Sequence, residues 1–194
     1  MRANSLQFRQ AGATVVELAL VLPVFLLFVF GVMELARMLY MINILQEVTR
    51  RAANAAAVAD FSSAATMEAI RRAAVFDDIS GQLPLGVPIT AAHVRIDYLS
   101  ITRDTSGQMS DEPIPTGSLP ASPARNNVNC IQSAYGDNCI RLVRSRICDP
   151  NNASACDAVQ YQPLFPIVTF SFGLSRSTTI VPAERLGLVA GDTP

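Results

Sequence analysis

Residues 13–33 read ATVVELALVLPVFLLFVFGVM, and from Leu18 onward the run carries no charge. As an α-helix rising about 1.5 Å per residue it spans about 31 Å, one bilayer core. The segment before it, MRANSLQFRQAG, holds Arg2 and Arg9 and no acid. Basic residues beside a span are retained on the cytoplasmic side. Residues 1–12 are therefore expected to form a cytoplasmic leader, 13–33 a single transmembrane helix, and the rest an extracytoplasmic part. A secretory signal peptide shares the basic start, but its apolar region is about 7 to 15 residues and its small-x-small cleavage site follows that region. Here the small pair Ala11-Gly12 precedes it.

The rest of the composition agrees with a chain partly solvated by lipid. Of 194 residues half are hydrophobic and only 16% are charged, below the roughly 25% usual in soluble domains. Fifteen basic and sixteen acidic residues give a formal charge of -1, so no field of one sign favours nucleic acid. Every basic residue is Arg, which removes Schiff-base and phosphate-cradling lysines. One histidine, no G-x-S-x-G, no H-E-x-x-H and no phosphate-binding glycine loop leave little for acid-base or nucleophilic work. No enzymatic activity and no cofactor are expected.

Glu17 breaks the apolar pattern. An ionised carboxylate in a span costs about 2.5 to 3.5 kcal/mol even on the gentlest insertion scales. At headgroup depth it would simply be wet. A second reading starts from its spacing: Gly12, then Ala13-Thr14-Val15-Val16-Glu17, then an apolar helix. This resembles the type IV prepilin processing site, where a prepilin peptidase cuts after Gly and leaves Glu as the fifth mature residue. The resemblance implies processing between Gly12 and Ala13 and an assembly role for Glu17, whose carboxylate would pair with a released Ala13 amine on the same or a neighbouring subunit. Pro23 removes a hydrogen bond to the Ala19 carbonyl inside the span, and Gly31 and Ala19 offer places for close helix approach.

From Glu34 the pattern becomes amphipathic, with Leu35, Met38, Leu39, Ile42, Leu45, Val48 and Ala52 at three- and four-residue steps. With no Gly or Pro between Met33 and Val58, one helix is expected from Ala13 to about Val58, its part at 34–60 continuing outside the membrane. A small α+β domain is expected at 61–194. Asp60 and Ser62 can cap a helix over 64–75; Ile89 to Ile101 alternates as a half-buried strand carrying His93; residues 103–127 read as a long exposed loop. Strand signals return over 140–147 and 159–181, the latter broken by Pro163, Pro166 and Gly173. The expected architecture is a pilin-like long helix packed against a small antiparallel sheet.

Four cysteines, Cys130, Cys139, Cys148 and Cys156, fall within the segment 130–156. An even count in an exported segment favours two disulfides. Three connectivities are possible, and local pairs would close short loops on either side of the 140–147 strand. The spacing lacks the close C-x-x-C pairs of zinc sites, so no metal is expected. Asp149-Pro150-Asn151-Asn152 lacks the ligand series of a calcium loop, and Asn152-Ala153-Ser154 is a glycosylation triplet of the kind chance supplies. Asp77-Asp78 and Asp111-Glu112 stand beside turn residues and read as solvated charge or caps.

Together the segment from Gly12 to Pro23 (GATVVELALVLP) and that from Phe30 to Arg37 (FGVMELAR) resemble the TadE-like proteins, minor pseudopilins of the tight-adherence (Flp) pilus system. A looser likeness covers Val159 to Pro166 and the tail to Glu184-Arg185. The resemblance implies a prepilin-peptidase substrate of the bacterial inner membrane that joins or primes a pilus. Its partners would be the peptidase, other pilins and minor pilins, the inner-membrane assembly platform and the lipid bilayer. The alternative is a single-pass membrane-anchored binding module acting alone, which needs no processing at Gly12.

Overall fold

A long helix α1, Ala11–Ala56, leads the chain, followed by α2 (Ala64–Ala74), β1 (Val94–Arg103), β2 (Met109–Pro113), α3 (Pro123–Gln132), β3 (Leu142–Ile147) and β4 (Thr178–Pro182). The fold is α+β. The structure is a computed structural model that describes residues 11–77, 79–152, 155–165, 172–174, 176–183 and 185–187. Arg2, Arg9, Asp78, Ser154, Glu184 and the middle of the 159–181 stretch lie outside the described residues. Contacts divide the chain into two units, Met1–Tyr40 with Pro163–Thr169, and Met41–Gln162 with Phe170–Pro194.

In the first unit α1 runs helically through Pro23. From Val15 to Phe28 its apolar side chains are exposed: Val15, Leu20, Val24 and Phe28 are 65%, 69%, 70% and 71% exposed. Water does not tolerate so continuous an apolar surface, and the helix is long and apolar enough to cross a bilayer once. It reads as a single-pass membrane anchor.

In the second unit the same helix changes character. Met41, Leu45, Val48, Ala52, Ala53 and Ala56 are fully buried, a stripe at three- and four-residue steps. Arg50 and Arg51 both pair with Glu47 on the outer side. This corrects the stripe expected from the sequence, because Leu35 and Leu39 are about half exposed. The run LARMLYMINIL is apolar around most of the helix, so periodicity alone did not locate where the buried face begins.

Helix α2 is capped by Ser63, whose Oγ accepts the Thr66 backbone N–H. Neither Asp60 nor Ser62 caps it: Asp60 Oδ1 instead accepts from the Ser62 backbone and hydroxyl, forming the turn just before the helix. Three neighbouring oxygen-bearing side chains compete here, and only the local backbone decides between them.

All strand pairs are antiparallel, in the order β2-β1-β3-β4. The first strand begins at Val94, so the expected strand over 89–101 loses its start to a 3-10 turn, Ala91–His93, and gains residues at its end. One sheet face packs on the lower part of α1. Tyr98, Val143 and Ala56 share a core with Phe61, Met67 and Ile140; the Tyr98 hydroxyl donates to the Ala56 carbonyl at 3.3 Å, and Thr49 and Thr179 share a hydrogen bond of 3.0 Å.

The expected loop over 103–127 is mostly structured. Asp104 Oδ1 accepts from the backbone of Ser106 and Gln108, and Gly107 adopts φ +86°, which returns the chain as β2. Every residue of β2 is exposed, so it shows no apolar alternation by which a strand is recognised. Ser122 then caps α3 with Pro123 at its start, the preferred arrangement for a helix opening.

Two disulfides hold the chain on either side of β3, Cys130–Cys139 and Cys148–Cys156. Buried Asn126 reinforces the first: its Oδ1 accepts the Ile140 N–H at 2.8 Å and its Nδ2 donates to the Ile140 carbonyl. Closing loops this short stabilises mainly by restricting the unfolded chain, by about 2 to 3 kcal/mol each. The double variant Cys148→Ser/Cys156→Ser is predicted to lower the unfolding free energy by that amount while leaving the fold's circular dichroism spectrum intact; denaturant titration with an unchanged midpoint would contradict it.

Candidate processing and assembly site

Gly12, Ala13 and Glu17 all lie on α1, and the Glu17 side chain is exposed. From Ala13 to Glu17 is four residues, so both fall on one face about 6 Å apart along the axis. Every apolar side chain from Leu18 to Phe28 is exposed, which leaves this stretch open to lipid or to other helices.

Residues 12–54 match the TadE-like protein family. No curated protein and no solved structure gives a match to the chain. The TadE-like segment opens at Gly12 and ends within two residues of the end of α1, so the matched residues form one helix and include both Gly12 and Glu17.

Beyond the TadE-like segment, His93 sits at the end of the 3-10 turn, where its Nδ1 accepts the Thr90 backbone N–H at 3.1 Å. Burial holds its pKa below the ordinary histidine value, against a smaller upward pull from Asp149. A half-buried ring fixed in this way serves the turn. The four cysteines are consumed by the two disulfides, and among the described residues no group of His, Cys, Asp and Glu is placed to hold a metal.

Two polar arrangements escaped the sequence. On β1 and β3, Asp97 receives Arg146 at 2.6 Å, Arg95 at 3.1 Å and Arg144 at 3.4 Å, with its own side chain only 13% exposed. Alternation placed Arg95 and Asp97 on one face, but the pairing of Asp97 opposite Arg144 needed the register. Asp97→Asn keeps the shape and removes the charge that three guanidinium groups share. It is predicted to cost about 2 kcal/mol after allowance for partial solvent exposure, read as a lowered thermal midpoint; an unchanged midpoint would show the cluster to be energetically neutral. The second arrangement belongs to α1, where both Glu34 carboxylate oxygens accept the Leu164 N–H at 3.3 Å and one also pairs with Arg37 at 3.5 Å. The two ends of that clasp lie 130 residues apart, beyond any local pattern.

Proposed function

We propose that this chain is a pilin-like minor pseudopilin of a tight-adherence pilus, cut after Gly12 by a prepilin peptidase and then assembled into the pilus or used to prime it. The observation that carries the reading is the coincidence of the TadE-like match with Gly12, Glu17 and an apolar helix whose side chains are exposed from Leu18 to Phe28. An exposed apolar helix is what a bundle of like helices requires, because each subunit's face is buried by its neighbours. The anchor would sit in the bacterial inner membrane with the leader in the cytoplasm, since Arg2 and Arg9 precede it. The disulfides support an outer location for the α+β unit, because thiols oxidise outside the cytoplasm. Prepilin peptidase, sibling pilins and the assembly platform would be its partners, and the role is structural, without turnover.

The direct test is the mass of the protein purified from its own membrane. The mature chain is predicted to begin at Ala13, with residues 1–12 removed. A polypeptide still beginning at Met1 in cells that make pili would overturn the proposal and leave the lone membrane-anchored binding module as the better account.

A further inference from the structure

Between Asp157 and Arg176 the chain runs AVQYQPLFPIVTFSFGLS without a charge, in a part of the sequence where a water-facing loop ordinarily carries several. The structure groups Pro163–Thr169 with the membrane-helix unit and not with the α+β unit. Phe165 stacks on Phe30 with ring centroids 4.6 Å apart, and Leu164 beside it is 58% exposed. Phe30 is three residues inside the end of the 13–33 span, about 4.5 Å by helical rise. A side chain stacked on it stands at the same depth.

We propose that Leu164 and Phe165 form a second, non-spanning contact with the membrane, a wedge set into the outer edge of the bilayer beside α1. The inference rests on the reading of α1 as a membrane anchor. Hydrogen bonding in this short segment suits such a place. An unpartnered backbone N–H is costly where water is scarce, and here Pro163 and Pro166 have no N–H to satisfy, while that of Leu164 is taken by the Glu34 carboxylate. The Glu34 charge in turn faces Arg37, one turn further from the span, so the clasp presents a paired charge at headgroup level and two apolar side chains below it. Lipid is the occupant that fits: Leu164 is exposed beside a span whose apolar side chains, Leu26 and Leu27 among them, are exposed as well, and no charged residue in the stretch would hold a polar partner.

The chain contains no tryptophan, so a single introduced indole reports alone. Three variants, Phe165→Trp, Leu164→Trp and Phe25→Trp, are reconstituted as full chains in phosphatidylcholine/phosphatidylglycerol vesicles whose acyl chains are brominated either near the headgroup or near the bilayer centre. Phe25→Trp reports the span itself. The wedge predicts that the indole of Phe165→Trp or Leu164→Trp is quenched at least about twofold more by shallow than by deep bromines, the reverse of Phe25→Trp, and is at least about threefold less accessible to aqueous acrylamide than free tryptophan amide. Lipid quenching of Phe25→Trp with none of Leu164→Trp or Phe165→Trp would overturn the wedge and leave the anchor standing, whether water or another protein copy covers the loop. Absence of lipid quenching in Phe25→Trp would overturn the anchor, and the wedge with it.

Discussion

Gly12→Val leaves the protein uncut, with at least about 90% of it accumulating in the membrane as a precursor that retains residues 1–12, because a side chain at this position bars close approach of the backbone to a peptidase cleft. The helical turn that holds Gly12 in α1 adds a requirement. Cleavage needs an extended chain, so this turn must open, and glycine favours the helix by about 1 kcal/mol less than alanine does. Gly12→Ala therefore separates the two effects. It adds one methyl and makes opening harder by about 1 kcal/mol, which corresponds to cleavage slowed by about fivefold but not abolished. Valine adds a branched side chain with little gain in helix propensity, so a block by valine far larger than that by alanine assigns the effect to the cleft. Pulse-labelled membranes resolved by mass, with each variant compared over time, make the measurement. Wild-type cleavage rates in Gly12→Val would remove Gly12 from the processing site.

Much of the architecture could be read before the structure because the signals were large or local. An uncharged run from Leu18 to Met33 admits few readings other than a membrane helix, and the LVRSRI of β3 alternates buried and partly exposed residues as a half-buried strand does. Short cysteine separations on either side of that strand made the two local bonds geometrically easy. What escaped was polar or distant. The residues of β2 are exposed throughout, so they carry no burial pattern and take their place by main-chain pairing with β1. In α3, Asn126 looks like a loop residue in the sequence yet is buried and pairs with both backbone groups of Ile140. Asp97 gathers arginines from its own strand and from β3, and Glu34 meets a backbone amide 130 residues away. In each case the partner is fixed by register or tertiary placement, which no local periodicity encodes. Site residues divide along the same line: Gly12, Ala13 and Glu17 stand out by spacing and by the cost of a charge in a span, whereas the Glu34 clasp is visible only once the chain has folded.

Glu17→Ala is expected to leave cleavage after Gly12 unchanged while surface pili fall by at least about tenfold. The difference follows from when the carboxylate acts. In the folded, uncut chain Glu17 is exposed on α1, and its removal changes nothing that a peptidase would grip. After processing, Ala13 would carry a free amine one turn before Glu17 on the same helix, and packing these helices side by side would take both charges out of water. An ammonium left without its carboxylate in such a place typically costs about 3 kcal/mol or more, a factor of about 100 in a docking equilibrium. Glu17→Asp retains the charge with a shorter reach and should recover part of the pili, and Glu17→Gln, similar in shape but neutral, should behave like alanine. A chain that only anchors itself predicts the opposite order: losing a carboxylate from the span eases insertion by about 2.5 to 3.5 kcal/mol and leaves function intact. Counting pili by electron microscopy, with the mass of the membrane-bound protein confirming cleavage in every variant, separates the two. Normal pili on Glu17→Ala cells would remove the charge pair from the assembly mechanism, and equal recovery by Glu17→Gln and Glu17→Asp would assign its role to shape instead of charge.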